Sequence, residues 1–197
     1  IHDVGEHEGS VWLAMERVDG VTLTTWLKAA PRTIDGVLEV MIAAGCGLAA
    51  AHEAGLLHRD FKPDNVMIDR DGRARVMDLG LARAARPTDG APPRIAAEAS
   101  VTPTGDLRVT QAGALLGTPA YMSPEQFGGC EADVRSDVYS YCVTLYEALY
   151  GEQPFAGGTL AELVANVIAG ELRGPVLPRR RSVPGWLRRI VVQGLAV

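Results

Sequence analysis

A chain of 197 residues can bury one hydrophobic core or form one lobe of a larger enzyme, and 47% hydrophobic with 22% charged residues is the make-up of an ordinary soluble globular protein. A net charge of −5 argues against a nucleic-acid binder, which carries a basic excess. The longest uncharged apolar run, Val40 to Ala51, has 12 residues broken by Gly45 and Gly47; it suits a buried helix better than a bilayer span, and no basic-then-apolar leader is expected at the start.

The first residues read as two strands, 1–5 and 10–18, around the polar turn Glu6-His7-Glu8-Gly9. Val11, Leu13 and Met15 alternate with Trp12, Ala14 and Glu16, as a strand with two different faces should. Asp19-Gly20 breaks the strand, and Thr22-Leu23 to Lys28 forms a short helix. Asp35 caps a long helix running through Val37, Leu38, Met41, Ile42, Leu48 and His52 to Gly55. Gly45 and Gly47 would cost it roughly 1 kcal/mol each if exposed, so close packing against a neighbour is expected there. Between Asp60 and Asp78 there is room for a small hairpin turning at Asp69-Arg70-Asp71-Gly72. Residues 84–105, rich in Pro, Ala, Gly, Ser and Thr, read as a mobile loop insertion. An apolar helix follows from Val134 to Tyr150, introduced by Ser136-Asp137, then one at about 159–169, then a last one opened by Pro184-Gly185-Trp186. Apart from the first strand pair and that hairpin, the pattern is helical. The three cysteines, Cys46, Cys130 and Cys142, lack metal-ligand spacing and read as thiols of a reducing compartment.

The chemistry is concentrated in three stretches: His58-Arg59-Asp60-Phe61-Lys62-Pro63-Asp64-Asn65, then Asp78-Leu79-Gly80, then Gly117-Thr118-Pro119-Ala120-Tyr121-Met122-Ser123-Pro124-Glu125. In order and spacing they resemble the catalytic loop, metal-binding loop and activation-segment end of a eukaryotic-like (Hanks-type) Ser/Thr protein kinase. The resemblance covers nearly the whole chain, and Gln126 after Ser-Pro-Glu is frequent in bacterial members. It implies an α+β, protein-kinase-like fold, with residues 1–18 ending the small β lobe and 19–197 forming most of the helical large lobe. The function implied is transfer of the γ-phosphoryl group of ATP to Ser/Thr hydroxyls of proteins, in signalling; the alternative is a catalytically silent fragment or pseudokinase-like scaffold.

Phosphoryl transfer asks mainly for positioning and charge neutralisation. The resemblance makes Asp78 and Asn65 the Mg²⁺ ligands, hard oxygens that suit that ion. It makes Asp60 the group that accepts or orients the proton of the attacking hydroxyl, and Lys62 a point charge beside the γ-phosphate, a lysine typical of Ser/Thr kinases. The resemblance also puts Glu16 and Val18 on a hinge that meets adenine through backbone groups, with Met15 behind as gatekeeper and Met67 as the floor. Core packing is the competing role for both methionines. His58 is expected to be structural, Asp137 to cap its helix and hold the catalytic loop from beneath, and Cys142 to be a small buried thiol rather than a redox centre. Arg179-Arg180-Arg181 reads as a solvated loop.

Two departures from the family stand out. No Gly-rich loop, strand lysine or partner glutamate precedes Ile1, and the arginine that usually pairs with the equivalent of Glu125 is not reached by Val197. The parent domain is therefore expected to extend at both ends, and the 197 residues alone to be inactive. Arg59 is expected to anchor a phosphorylated activation segment, with Thr110 as the autophosphorylated residue and Arg83 nearby. Thr118 is expected to bridge Asp60 and Lys62 through its hydroxyl. Protein substrates, self-phosphorylation and dimerisation are the expected partnerships, without nucleic acid or a membrane segment. The expected location is cytoplasmic, with membrane anchoring open to a longer protein.

Overall fold

The computed structural model describes residues 3–7, 10–14, 16–79, 108–109, 115–116, 118–173 and 183–196. The expectations for Met15, Arg83, residues 84–105 and Thr110 fall outside these residues, as does the side chain of Thr118.

Strands β1 (Asp3–His7) and β2 (Ser10–Ala14) pair antiparallel, with Asp3 opposite Ala14 and His7 opposite Ser10. Glu6 and His7, expected in the turn, extend the ladder instead, and residues 16–19 have already left the second strand. The chain then pairs again where a helix was expected to follow directly. Gly20–Thr22 forms β3, which lies antiparallel to β4 (Val66–Asp69), itself paired with β5 (Ala74–Val76). The helical pattern expected beyond the first strand pair and the hairpin is thereby corrected to include a three-stranded sheet. Gly20 is what admits it, because a Cβ there would collide with the carbonyl group of Ile68. The β4–β5 turn is set by Asp69, whose Oδ1 accepts from the N–H groups of Asp71 (3.0 Å) and Arg73 (2.9 Å), while Gly72 takes φ 81°. Two short strands, β6 (Arg108–Val109) and β7 (Leu115–Leu116), pair separately.

Helix α1 (Leu23–Ala29) is capped by Thr22, which accepts from Thr25 N–H at 3.2 Å. The cap of α2 (Ile34–Glu53) is Thr33, accepting from Gly36 N–H at 3.1 Å, and not Asp35. Asp35 sits in the first turn, where its charge complements the helix dipole. Gly45 and Gly47 of α2 pack against neighbours as expected. A Cβ at Gly45 would come within 3.3 Å of the Tyr141 ring, and one at Gly47 within 3.3 Å of Val76 Cγ2. These contacts let α2 lie on β5 on one side and on the helix that carries Tyr141 on the other. By length and composition α2 could cross a membrane, but here its Val37, Met41, Ala44 and Leu48 are core residues.

After the short helix α3 (Pro124–Phe127), helix α4 (Val134–Tyr150) forms the centre of the core. Its cap is Asp133, bonded to Arg135 N–H at 2.7 Å and Ser136 N–H at 3.3 Å, with Ser136 Oγ accepting from Asp133 N–H at 3.2 Å. Ser136-Asp137 thus lies within the first turn, and the capping role expected of Asp137 passes to Asp133. Helices α5 (Leu160–Ala169) and α6 (Gly185–Gly194) complete the described helices. Leu187, Val191 and Leu195 bury the inner side of α6 and its end against the core. At that seam Gly194 faces Cys142, and a Cβ at 194 would overlap the sulfur. Burial pushes the Cys142 thiol up to about 11, which suits an inert packing group, as expected, rather than a thiolate nucleophile.

Candidate active site

A buried carboxylate builds the floor of this site. Asp137, 1% exposed on the first turn of α4, uses both oxygens. Oδ1 accepts from Arg59 N–H at 2.7 Å, and Oδ2 accepts from His58 N–H at 2.8 Å and lies 2.8 Å from His52 Nε2 at the end of α2. Three donors on an ionised acceptor make strong bonds, and they fix the irregular backbone leaving α2. Asp137 holds the loop from beneath, as expected. Arg59 adopts φ 68°, a left-handed conformation uncommon in a non-glycine residue, and these bonds hold it there.

His58 is fully buried, its ring edge-on to Phe61 with centroids 5.5 Å apart. Burial pushes its pKa below the ordinary value, and Nε2 has no hydrogen-bond partner. A neutral ring sealed in the core is a packing element, in keeping with the structural role expected.

Asp60 is the convergence point. Its Oδ2 lies 2.8 Å from Lys62 Nζ and accepts from Asn65 Nδ2 at 3.2 Å. Asn65 Nδ2 also donates to the Asp60 main-chain oxygen at 2.7 Å. Asp60 Oδ1 is buried without a partner, an acceptor held ready for a donor from outside. Residues Pro63–Asn65 form a 3₁₀ turn, and the Asn65 carbonyl accepts from Met77 N–H at 2.8 Å, fastening this loop to the chain just before Asp78. Asp78 is exposed, with φ 57°. With Nδ2 of Asn65 turned to Asp60, its oxygen is the atom left to ligate. Among the described residues no three His, Cys, Asp or Glu side chains converge on a metal position. Asp78 and Asn65 each offer an oxygen of the kind a hard cation takes.

Of the expected nucleotide residues, Glu16, Val18 and Met67 lie around the β3–β4–β5 sheet. Glu16 is exposed and accepts from Arg75 Nη1 at 3.0 Å, Val18 is half-buried, and half-buried Met67 on β4 stands opposite Arg75 and Thr22. Arg75 is thus the shared neighbour of Glu16 and Met67.

Three participants were not foreseen. His52 supports Asp137, and Gln126 Nε2 reaches the Arg59 carbonyl at 3.4 Å. Glu147 accepts from Tyr121 OH at 2.6 Å, and burial holds its carboxyl above the usual carboxylate range. A signal for Glu147 did exist: it is the lone charge in the otherwise uncharged helical stretch from Val138 to Tyr150. A cavity of about 620 Å³ lies elsewhere, lined by Pro124, Glu125, Asp133, Tyr139 and Gln193 among others, with none of residues 58–78 on its wall.

Comparison with known proteins agrees with this geometry. The family model described as the protein kinase domain matches residues 1–182. Serine/threonine-protein kinase PknH of Mycobacterium bovis is 32% identical over 197 residues, covering 100% of this chain and 30% of the relative. Serine/threonine-protein kinase pkn2 of Myxococcus xanthus is 36% identical over 200 residues, covering 100% of this chain and 22% of the relative. PknL of Mycobacterium tuberculosis, a serine/threonine-protein kinase, is 42% identical over 158 residues, or 80% of this chain and 35% of the relative. The chain thus spans about a third or less of these relatives' lengths. With Asp60, Lys62 and Asn65 joined above Asp137, and a family model running through all of them, this chain belongs to the protein kinase domain family.

Proposed function

We propose that the protein carrying this chain is a serine/threonine protein kinase that uses ATP and Mg²⁺ to phosphorylate protein hydroxyls. The observation that carries this reading is the Asp60 carboxylate, one oxygen shared by Lys62 and Asn65 and the other buried without a partner. A scaffold has no use for a poised acceptor beside a lysine, and the names of the relatives support the same activity.

Bound MgATP would supply the phosphoryl group, its metal offsetting the charge of the phosphate oxygens. Asn65 and Asp78 hold that metal through oxygen. Asp60 Oδ1 takes the hydrogen bond of the substrate hydroxyl, orienting it and accepting its proton. Lys62 pairs with Asp60 Oδ2 and places positive charge where the transferred group arrives. Met15, Glu16 and Val18 meet the adenine edge along the backbone, and Met67 lies under the ring. Residues 1–18 end the small lobe and 19–197 form most of the large lobe of the domain. Regulation runs through Arg59, which would dock a phosphate on Thr110, and the Thr118 hydroxyl would bridge Asp60 and Lys62 in the active enzyme. Self-phosphorylation in a transient dimer supplies that phosphate, and the catalytic domain works in the cytoplasm.

Asp60→Asn and Asp78→Asn in the full-length protein test the reading. Each should lower phosphate incorporation into a generic protein substrate at least ~100-fold with an unchanged circular dichroism spectrum. Wild-type turnover in either variant would overturn the assignment. Mass spectrometry after incubation with ATP, with Thr110→Ala as partner, decides the regulatory part.

A further inference from the structure

We infer that Gln126 is a positioning residue that couples the end of the activation segment to the backbone of Asp60. The inference rests on the kinase reading above. Its side chain is half-buried and works in two directions at once. Oε1 accepts from Ser123 N–H at 3.0 Å and from Ser123 Oγ at 3.1 Å, tying down the start of α3. Nε2 donates to the main-chain oxygen of Arg59 at 3.4 Å, across 67 residues of sequence. The assignment of oxygen and nitrogen follows from the partners: a reversed amide would set NH₂ against the Ser123 N–H and an oxygen against the Arg59 carbonyl.

The place it reaches is the constrained one. Arg59 has φ 68°, its N–H is held by Asp137, and the C=O of the peptide leading into Asp60 is held by Gln126, so Arg59 is gripped on both sides of its Cα. Rotation of that peptide would swing Asp60 Oδ1, the poised acceptor, away from an incoming hydroxyl. Glu125 beside it bonds Ser136 Oγ on α4, so α3 is itself anchored to the helix that carries Asp137. A settled α3 therefore positions the catalytic carboxylate, and an α3 out of place releases it. Gln126 touches neither nucleotide nor substrate in this scheme; it acts through Arg59.

Gln126→Glu separates the two directions. It keeps an oxygen for Ser123 and replaces the donor to Arg59 with a second acceptor. In the full-length protein this variant should lower kcat about 3- to 10-fold, the rate equivalent of one neutral hydrogen bond, with KM for ATP and the melting temperature held. Hydrogen exchange should quicken in the peptide covering His58–Phe61 and not in α4. Gln126→Ala should show the same kcat loss together with a lower melting temperature. Wild-type kcat and exchange in Gln126→Glu, or a Gln126→Ala that melts earlier with kcat intact, would reduce Gln126 to a helix cap and overturn the inference. Should the wild-type protein transfer no phosphate at all, the kinase reading fails, and the exchange measurement still decides the coupling.

Discussion

The helical core and the loop of residues 58–65 share Asp137 and are otherwise held by different physics. Below it, Met41 on α2, Val143 and Leu149 on α4, and Leu187 and Val191 on α6 are joined by apolar packing, which is non-directional and spread over many contacts. Above it, the loop adds to Phe61, Pro63 and the buried His58 ring a handful of directed bonds, foremost the two that the Asp137 carboxylate accepts from its backbone. Packing resists a lost methyl group gradually. A loop hung on one acceptor loses its shape when that acceptor goes. The core supplies stability and the loop spends part of it on a backbone shape that few residues adopt.

Asp137→Ala should show this contrast most strongly. It strands the buried N–H groups of His58 and Arg59, each bonded to a charged acceptor, so about 3–5 kcal/mol should be lost, read by urea denaturation. Activity should vanish even in the fraction that stays folded. Leu149→Ala, at a side chain 1% exposed, should cost about 3 kcal/mol through its cavity. Here the folded fraction should keep its kcat, and a large kcat loss would show that core and loop are less separate than described. Gly194→Ala drives a methyl group into Cys142 and should cost about 2 kcal/mol by overpacking. The double variant Gly194→Ala/Cys142→Gly should recover most of that loss, since the clash is with the sulfur and its Cβ.

The smallest effect is a pH slope. The folded pKa of His58 lies below its ordinary value of 6.5 because burial disfavours the charged ring. The unfolded chain therefore binds the proton more readily, and stability contributed by the neutral ring is complete above about pH 6.5 and lost as pH falls through the folded pKa. One proton changes stability by at most about 1.4 kcal/mol per pH unit. Melting temperatures at pH 7.5 and 5.5 should differ more for the wild-type chain than for His58→Phe. Equal differences would mean that the ring is charged within the fold.

What the sequence revealed follows the same division. Asp60, Lys62, Asn65 and Asp78 lie in short contiguous motifs, so they could be picked out directly from the chain. The packing of Gly45 and Gly47 was legible because a glycine pair within a long apolar helix needs a reason. The cap residues were misread by two positions at Asp35 and by three or four at Ser136-Asp137, since several capping residue types crowd both starts and only backbone geometry chooses among them. Strand β3 was missed because three residues carry too little period-two pattern, and its partner lies more than forty residues downstream. His52 and Gln126 depend on contacts between elements distant in sequence, which no local pattern records, and Glu147 left only its lone charge in an uncharged helical stretch as a sign.

The bond from Met77 N–H to the Asn65 carbonyl bears on protein engineering. It closes the β4–β5 hairpin at its base, while the turn at the far tip is exposed from Arg70 to Arg73. The separation of Asn65 and Asp78 is therefore fixed where the hairpin begins and does not depend on what the tip contains. A fluorescent label or short epitope grafted beside Gly72 would ride on a strut whose foot is clamped, reporting on the cleft without loosening it.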